Sequence, residues 1–303
     1  MNSGYSYQST LAASPATPWR VEDIIGGDKR LDFTKPFMPE SLARIEALAF
    51  LSPDEKRILN QIRGNTYLYI FGLVEEFILP FVLDHARLHL REDDYQVRAL
   101  LQLASEEAKH IQLFKTFRQE FAAGFGAECA VIGPPEDVAK TVLAHQPLAV
   151  ALAILQIEWM SQRHYVESIK DDQALDPQFK SLLKYHWMEE AQHAKTDTLM
   201  VEALAANMSE TEIMDAIEEF LEIGGFLDAG LKQQIEFDLE ALIKVSGRQL
   251  NDAEKDEYRR VQQQANRWTY LGTGMTHEKV LETLGRLTPK ARQRIEEVSP
   301  AFC

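Results

Sequence analysis

Residues 186–193 read HWMEEAQH. On an α-helix, side chains three or four positions apart project from the same face, so Glu190 and His193 can present an oxygen and a nitrogen to one metal ion. His186 precedes Glu190 by one helical turn and shares that face, which makes it a candidate third ligand. The alternative is a core histidine that hydrogen-bonds a neighbouring glutamate. The segment therefore predicts a helix that carries metal ligands on one side.

A shorter version of the motif lies upstream, where residues 106–110 read EEAKH. Two further acids, Glu76 and Glu158, stand in apolar stretches, where an unpaired charge would be costly. Two helices that each give a Glu, with two others that each give Glu-x-x-His, form the ligand plan of two-metal sites in four-helix bundles. The predicted metal ligands are Glu76, Glu107, His110, Glu158, His186, Glu190 and His193.

Glu75 is an alternative to Glu76 as the ligand from the first helix, because the two residues lie one helical step apart. Both positions leave an acceptable gap to the next motif. We favour Glu76, since Tyr69 and Gly72 then lie above it on the same helix face.

Four long helices are expected around these motifs. The first begins at Ser52-Pro53-Asp54-Glu55, which combines a cap, a proline at the first helical position and acids in the first turn. We expect a kink at Pro80, and a short acidic helix in the long connection between the second and third helices. The four helices are predicted over residues 52–89, 93–122, 148–170 and 177–207.

This connectivity predicts an all-α fold, a ferritin-like four-helix bundle in which two antiparallel hairpins are joined by a crossover. Residues 1–40, rich in proline and without periodicity, form an irregular arm, and residues 41–207 form the bundle. Residues 208–303 are predicted to be a helical extension that packs on the bundle. Within it we expect helix boundaries near Gly224-Gly225, Gly247, Gly272/Gly274 and Pro289.

The composition narrows the function classes. A formal net charge of -15 disfavours nucleic acid and anionic membranes as partners. Cys129 and Cys303 are the only cysteines, too few for a disulfide framework or a four-sulfur zinc site, which fits a reducing cytoplasm. No secretory signal is visible, and the longest apolar run is far shorter than a membrane span. We expect a soluble, cytoplasmic protein.

The ligand pattern resembles that of a known family, the ferritin-like di-iron N-oxygenases typified by p-aminobenzoate N-oxygenase. The match covers the four bundle helices, and its most specific element is the final motif with the extra histidine, His186. The resemblance does not extend to the arm or to the last hundred residues, and no substrate-binding motif matches. It implies two iron ions, dioxygen as co-substrate and N-oxygenation of an amine.

We therefore expect a di-iron oxygenase, an oxidoreductase that oxidises a small organic substrate. Manganese in place of one iron stays open. The alternative is a ferroxidase, iron-storage or rubrerythrin-like peroxide-scavenging protein, which needs the same centre without an organic substrate. The sequence shows no dinucleotide fingerprint, so electrons are expected from an external donor or reductase. A homodimer is also expected.

Helical spacing gives further candidates beside the metal site. Asp197 follows His193 by one turn and is predicted to orient a ligand histidine. A solvated helix acid is the alternative for Asp197, and ordinary core packing is the alternative for the pocket candidates. The predicted substrate-pocket residues are Tyr69, Ala151, Ile154, Leu155, Gln162 and Tyr165.

Overall fold

The computed structural model describes residues 3–16, 18–91 and 94–303. Within these ranges the chain forms helices and no β-strand, so the predicted all-α fold is confirmed. In chain order the α-helices are α1 Tyr7–Ala13, α2 Val21–Ile24, α3 Glu40–Ala43, α4 Pro53–Leu88, α5 Asp94–Phe125, α6 Pro135–Val142, α7 Pro147–Arg163, α8 Pro177–Ala205, α9 Glu210–Ser246, α10 Asp252–Arg267, α11 Thr273–Met275, α12 Glu278–Leu287 and α13 Pro289–Val298. Two π-helical turns, His164–Ile169 and Trp268–Gly272, follow α7 and α10 directly.

Local capping explains where the bundle helices begin. At the start of α4, Ser52 Oγ accepts a hydrogen bond from the Glu55 backbone N–H, and the Glu55 carboxylate accepts one from the Ser52 N–H at 2.7 Å. At the start of α8, Asp176 accepts a hydrogen bond from the Phe179 N–H at 2.6 Å. These bonds satisfy N–H groups that have no partner within the helix. The predicted starts of both helices are confirmed.

The four long helices α4, α5, α7 and α8 form the bundle. Helix α4 packs along α5, α7 packs along α8, and α5 also contacts α8. The short helix α6 lies in the long connection between α5 and α7, as predicted. Helix α4 is long and apolar enough to span a membrane, but 72% of its apolar window is buried inside the fold. Burial of this kind is that of a core helix in a bundle.

Helix α9 corrects one boundary prediction. It runs without interruption through Gly224-Gly225, where the sequence predicted a break, and ends at Ser246 with Gly247 in the left-handed conformation at φ 69°. A glycine pair inside a helix weakens it by about 1 kcal/mol per residue relative to alanine, and packing can outweigh that cost. Here α9 packs against both α4 and α7. The first long helix after the bundle thus joins the core that surrounds the site.

The N-terminal arm contains more helix than its sequence suggests. Helix α1 packs on α5 and α8, and α2 also contacts both of these helices. Between α1 and α2, Trp19 is buried. The arm therefore covers the side of the bundle formed by α5 and α8, which are the two helices with the Glu-Glu-x-x-His motifs.

Candidate metal centre

Six acidic and imidazole side chains converge inside the bundle in two overlapping groups. Within each group, one candidate ligand atom from every residue lies within 4.8 Å of the others, and all six residues are buried. The groups share His110 from α5 and Glu190 from α8. The first group consists of Glu75, His110, His186 and Glu190, and the second of Glu107, His110, Glu190 and His193.

The carboxylate of Glu190 is the centre of this arrangement. Its Oε1 atom lies 3.1 Å from His110 Nδ1, 3.2 Å from His186 Nε2 and 3.4 Å from His193 Nδ1. One oxygen thus faces a nitrogen from each of the three histidines. A carboxylate in this position can contact metal ions in both groups.

Several of these atoms are buried without any hydrogen bond, which is the main test of whether metal ions fit the site. His193 Nδ1 lies 3.0 Å from Glu107 Oε1, yet neither atom has a hydrogen-bond partner. His110 Nδ1, Glu75 Oε2 and Glu190 Oε1 are likewise buried without a hydrogen-bond partner. Buried polar atoms are nearly always paired, and orphaned ones need an explanation. Unpaired carboxylate oxygens and imidazole nitrogens this close together form a donor set into which two metal cations would fit.

Glu75, not Glu76, is the residue that α4 contributes to this cluster. Glu75 Oε1 lies 2.9 Å from His186 Nε2 inside the bundle. Glu76 is partly exposed and forms an ion pair with Lys115, with a distance of 2.6 Å between Glu76 Oε1 and Lys115 Nζ. The preference for Glu76 is therefore corrected: Tyr69, on which it rested, hydrogen-bonds the Ile132 carbonyl and is not part of the cluster.

Glu158 on α7 is buried but lies outside both groups. It is 2% exposed, and its Oε2 atom has no hydrogen-bond partner. Among the described residues, α7 therefore contributes no side chain to the two groups, although the ligand plan predicted one. The unpaired oxygen of Glu158 is a further buried acceptor on the α7 side of the bundle.

Two outer carboxylates hold two of the histidines in place. His110 Nε2 donates to Glu189 Oε2 at 2.8 Å, and His193 Nε2 donates to Glu106 Oε2 at 3.0 Å. Each bond joins α5 to α8 and leaves Nδ1 of the imidazole facing the cluster. A hydrogen bond of this kind fixes the tautomer and ring orientation of a metal ligand.

Sequence reasoning did not assign this role to Glu106 and Glu189, although the signal was present. Each is the first Glu of a Glu-Glu-x-x-His motif, and each bonds the histidine of the other helix. Asp197 was predicted to orient a histidine, but neither of its buried oxygens makes a hydrogen bond. Burial raises the pKa of Asp197 well above its usual range.

The outer carboxylates are themselves bonded. Glu106 accepts hydrogen bonds from Gln192 Nε2 at 3.0 Å and from Ser14 of the arm. Burial alone would raise the pKa of Glu106, but the hydrogen bond and charge of His193, with the bond from Ser14, lower it to about 2. Glu189 pairs with Lys109. Both carboxylates are thus fixed acceptors for the imidazoles.

The arm also covers one histidine of the cluster directly. The ring of Trp19 stacks on that of His110, with centroids 5.8 Å apart and planes 3° from parallel. Lys109 Nζ lies 3.9 Å from the centre of the Trp19 ring and makes a cation–π contact with it. A residue from a segment without helical periodicity therefore shields the centre from solvent.

Burial and neighbouring charges act against each other in the cluster. Burial raises the pKa of Glu75 well above its usual range, and Glu107 adds to the effect. Burial alone would lower the pKa of His193, but Glu190 and Glu107 raise it well above its usual range. Protons and metal ions therefore compete for the same side chains, and metal binding should release protons.

An apolar cavity of about 380 Å³ lies beside the centre. Its walls come from α4, α6, α7 and α9, from the segment 132–134 and from Tyr270. Phe71 lines the cavity, and its ring also meets the His186 ring edge-on, with centroids 5.8 Å apart. This size is typical of binding sites for small organic molecules.

None of the predicted pocket residues is among the described residues that line this cavity. Gln162 Nε2 donates to the Trp187 carbonyl at 3.0 Å, and Tyr165 stacks on the Trp187 ring with centroids 4.6 Å apart. Tyr69 hydrogen-bonds the segment beside the cavity instead. The small and aliphatic candidates from α7, which are core residues, are Ala151, Ile154 and Leu155.

Comparison with known proteins adds distant structural likenesses only. No protein-family model and no curated protein matches this chain. Among solved structures, a tyrosine-to-phenylalanine variant of an R2-like ligand-binding oxidase with an anaerobically reconstituted Mn/Fe cofactor has 14% identity and a TM-score of 0.47. The match covers 92% of this chain and 94% of that chain.

A valine-to-alanine variant of R2-like ligand-binding oxidase, also with Mn/Fe, has 15% identity and a TM-score of 0.42, covering 88% of this chain and 95% of that one. A glycine-to-leucine variant with an Fe/Fe cofactor has 15% identity and a TM-score of 0.41, covering 88% and 94%. Likenesses with scores this low carry no argument about this chain. Its own helices and side chains define an all-α protein with a buried carboxylate and histidine cluster.

Proposed function

We propose that this protein holds two redox-active metal ions and uses them to activate dioxygen and oxidise a small organic molecule. The observation that supports this proposal best is the pair of overlapping ligand groups that share His110 and Glu190. A single-metal site would need only one such group. Two metal ions near one another can together deliver two electrons to dioxygen.

The donor set favours iron or manganese with iron. Three carboxylates and three imidazoles form the two groups. Magnesium and calcium prefer oxygen ligands alone, and zinc and iron accept imidazole readily. Three carboxylate charges also balance most of the charge of two divalent ions. Bound iron would supply the redox chemistry, and the protein supplies the ligands, their orientation and exclusion of water.

The residues around the cluster would preserve that geometry during turnover. Glu189 and Glu106 hold the rings of His110 and His193 at hydrogen-bond distance. The ring of Trp19 covers His110 from the arm side. These contacts keep the imidazole orientations fixed and limit access of water.

The apolar cavity supports oxidation of an organic substrate over iron storage or peroxide scavenging. This cavity, of about 380 Å³, lies next to Phe71, whose ring meets the His186 ring edge-on. Storage or peroxide scavenging requires no apolar cavity. Within this proposal, the substrate is an amine that undergoes N-oxygenation, because the motif with the extra histidine resembles that of the N-oxygenases.

The proposal includes an external electron donor, since the sequence has neither a dinucleotide fingerprint nor cysteines for an iron–sulfur cluster. A cytoplasmic location and a homodimer are also part of it. These partners are separate from the metal chemistry and can be tested separately.

Metal analysis and oxygen consumption test the proposal together. Protein loaded with ferrous iron under anaerobic conditions should carry close to two metal ions per chain. It should then consume oxygen and convert an added arylamine to an oxygenated product. Glu107→Ala and Glu190→Ala should lose tight metal binding, whereas Glu76→Gln, a change at the partly exposed neighbour of Glu75, should not. Well-folded protein that binds no metal would refute the centre, and growth of an iron mineral without amine oxidation would favour storage.

A further inference from the structure

Tyr67 on α4 and His164, in the π-helical turn after α7, form a buried pair beside the metal centre. Both side chains are at most 2% exposed, and Tyr67 Oη lies 3.0 Å from His164 Nδ1. The ring of Tyr67 stacks on that of Phe71, with centroids 4.3 Å apart, and the ring of Phe71 meets that of His186 edge-on. One aromatic ring therefore separates the phenol of Tyr67 from a candidate metal ligand.

The hydrogen bonds around His164 determine which of its nitrogens carries the proton. Burial lowers the pKa of His164 to about 3, so the ring is neutral at neutral pH. Its Nε2 atom lies 3.0 Å from Thr273 Oγ1, and the single hydroxyl proton of Thr273 is donated to the Thr269 carbonyl at 3.0 Å. Thr273 Oγ1 thus accepts from His164, so Nε2 is protonated and Nδ1 has the lone pair. Tyr67 donates its hydroxyl proton to that lone pair, and its phenol therefore points at a base.

A base at this position matters for oxidation of the phenol. The pKa of Tyr67 is raised well above its usual range, first by burial and then by interaction with Tyr270 and Glu190, so the phenol is protonated at neutral pH. Loss of an electron makes a phenol strongly acidic, and a buried cation without a partner is costly. A buried tyrosine can therefore give up an electron readily only where a neighbouring base takes its proton.

Three other buried tyrosines lack such a base. The hydroxyls of Tyr258 and Tyr270 have no hydrogen-bond partner, although the ring centroid of Tyr270 lies only 6.1 Å from that of Tyr67. Tyr69 donates to the Ile132 carbonyl, which does not take up a proton. The acceptor of its hydrogen bond thus distinguishes Tyr67 from these three residues.

The two π-helical turns supply the surroundings of this pair. His164 is the first residue of one turn, Tyr270 lies in the other, and Thr273 follows the second turn directly. Turns of this kind are rare and are frequent at functional sites. Here both contribute to the environment of Tyr67, which belongs to neither ligand group.

From these contacts we propose that Tyr67 is a redox-active residue that gives one electron to the oxidised metal centre when no organic substrate is bound. Tyr67 loses one electron and becomes a neutral tyrosyl radical, its hydroxyl proton moves to His164 Nδ1, and the electron reduces metal ions that dioxygen has oxidised. The proton stays beside the phenol and returns when the external donor supplies an electron. An oxidising equivalent that finds no substrate is thus held reversibly on Tyr67. The proposal rests on the proposed function, which supplies the oxidant.

Freeze-quench electron paramagnetic resonance tests this transfer. Protein loaded with ferrous iron under anaerobic conditions is mixed with oxygen in the absence of organic substrate, and ring-deuterated tyrosine identifies a tyrosyl signal by its narrowing. The wild type should form a transient tyrosyl radical, which Tyr67→Phe should lose and the neighbouring Tyr270→Phe should retain. A radical that persists in Tyr67→Phe, or no radical at any time in wild type that consumes oxygen, would overturn the proposal.

Two variants test the proton acceptor. In His164→Gln the amide can accept a hydrogen bond from Tyr67 but cannot take its proton, so the radical should be lost while the iron content stays at the wild-type level. Thr273→Val is a milder change, which removes only the acceptor for His164 Nε2, and it should shorten the lifetime of the radical. Circular dichroism checks that both variants are folded. Wild-type yield and lifetime in both would exclude His164 as the base.

Photochemical oxidation separates this proposal from the proposed function. A tris(bipyridine)ruthenium sensitiser with a sacrificial acceptor withdraws one electron from the metal-free protein, so that neither iron nor oxygen is needed. Light should give a tyrosyl radical whose yield falls in Tyr67→Phe and His164→Gln but not in Tyr270→Phe. Equal yields in all four proteins would refute the redox pair, even in a protein that proves to be an oxidase. A light-induced Tyr67 radical in protein that binds no metal would refute the oxidase proposal and leave the redox pair.

Discussion

Glu106 on α5 accepts a hydrogen bond from His193 on α8, with 3.0 Å between Glu106 Oε2 and His193 Nε2. Glu189 on α8 does the same for His110 on α5, at 2.8 Å. The doubled glutamate of each motif thus has two roles. The second Glu faces the cluster, and the first positions the histidine of the facing helix.

We predict that Glu106→Gln and Glu189→Gln each lower metal affinity by about 10- to 100-fold, because the amide is a weaker acceptor for the imidazole N–H. Competition with a metal chelator gives the affinity, and circular dichroism checks the fold. Glu76→Gln is the matched control on the bundle surface and should keep the affinity of the wild type. Wild-type affinity in both outer variants would show that the hydrogen bonds do not support the centre.

Substitutions of the two adjacent acids of α4, Glu75 and Glu76, should differ sharply in their effect on metal content. Glu75→Gln removes a member of the first ligand group, so the metal content should fall from two ions per chain toward one at limiting metal concentration. Glu76→Gln removes only an ion pair with Lys115 that is partly exposed, and such pairs contribute about 0–1 kcal/mol. Elemental analysis compares the two variants. Loss of metal from the Glu76 variant alone would reverse the assignment.

His186 should separate metal binding from substrate oxidation. His186→Ala leaves the second group of ligands intact, so the bundle should fold and still bind metal at that group. Binding at the first group should weaken, and oxidation of the amine should fall by about tenfold or more. Metal content and product yield are measured on one preparation. Full product yield would return His186 to the role of a core residue.

His164 should make the protein sensitive to acid. Its ring is buried between the Tyr67 hydroxyl and Thr273, at 3.0 Å from each, and burial lowers its pKa to about 3. The unfolded chain takes up a proton near pH 6.5 while the folded chain does not, so stability is intact above pH 6.5 and falls as the pH drops toward 3.

This loss should amount to at most about 1.4 kcal/mol per pH unit. The difference in free energy of unfolding between wild type and His164→Gln, from urea titrations at pH 7, 6 and 5, isolates the contribution of this residue. The difference should shrink as the pH falls. A difference that is constant over this range would contradict a buried neutral His164.

A buried ion pair between α4 and α9 should stabilise the fold only as a pair. Arg63 Nη1 lies 3.8 Å from Asp238 Oδ2, both side chains are 1% exposed, and Thr66 Oγ1 donates to Asp238 Oδ1 at 2.8 Å. Burial raises the pKa of Asp238 to about 6, against the opposing effect of Arg63. Asp238→Leu should destabilise the protein by about 3–5 kcal/mol, because it leaves the buried charge of Arg63 without a counter-ion.

The double variant Arg63→Met, Asp238→Leu should be more stable than Asp238→Leu by itself, since no unpaired charge is left in the core. Chemical denaturation of the wild type, the two single variants and the double variant forms a complete cycle. Additive losses would show that the two side chains do not depend on each other.

The sequence alone predicted the all-α class, the starts of α4, α7 and α8, and five of the six residues that the structure brings together in the two groups; the predicted start of the second bundle helix, Asp93, lies outside the described residues. These features depend on local rules: caps at Ser52 and Asp176, and the three-residue spacing that puts Glu107 beside His110 and Glu190 beside His193 on one helix face. Such rules act within one helix and need no knowledge of its neighbours.

Only the tertiary structure decided between Glu75 and Glu76, because a single helical step changes which helix each side chain faces. It also decided that Glu106 and Glu189 bond histidines across the bundle. Contacts of this kind depend on how two helices are rotated against each other, which spacing along one chain does not specify.

The position of the cavity was likewise a tertiary outcome. The sequence pointed to Tyr69 on α4 and to residues of α7 and the turn after it, but the lining comes from other residues of α4 and α7 and from α6 and α9, including Phe71, Asp137 and Ala229. A void exists where several helices fail to fill the space between them. Its location therefore depends on the packing of distant segments, whereas the ligand motifs lie within single helices and could be found in the chain itself.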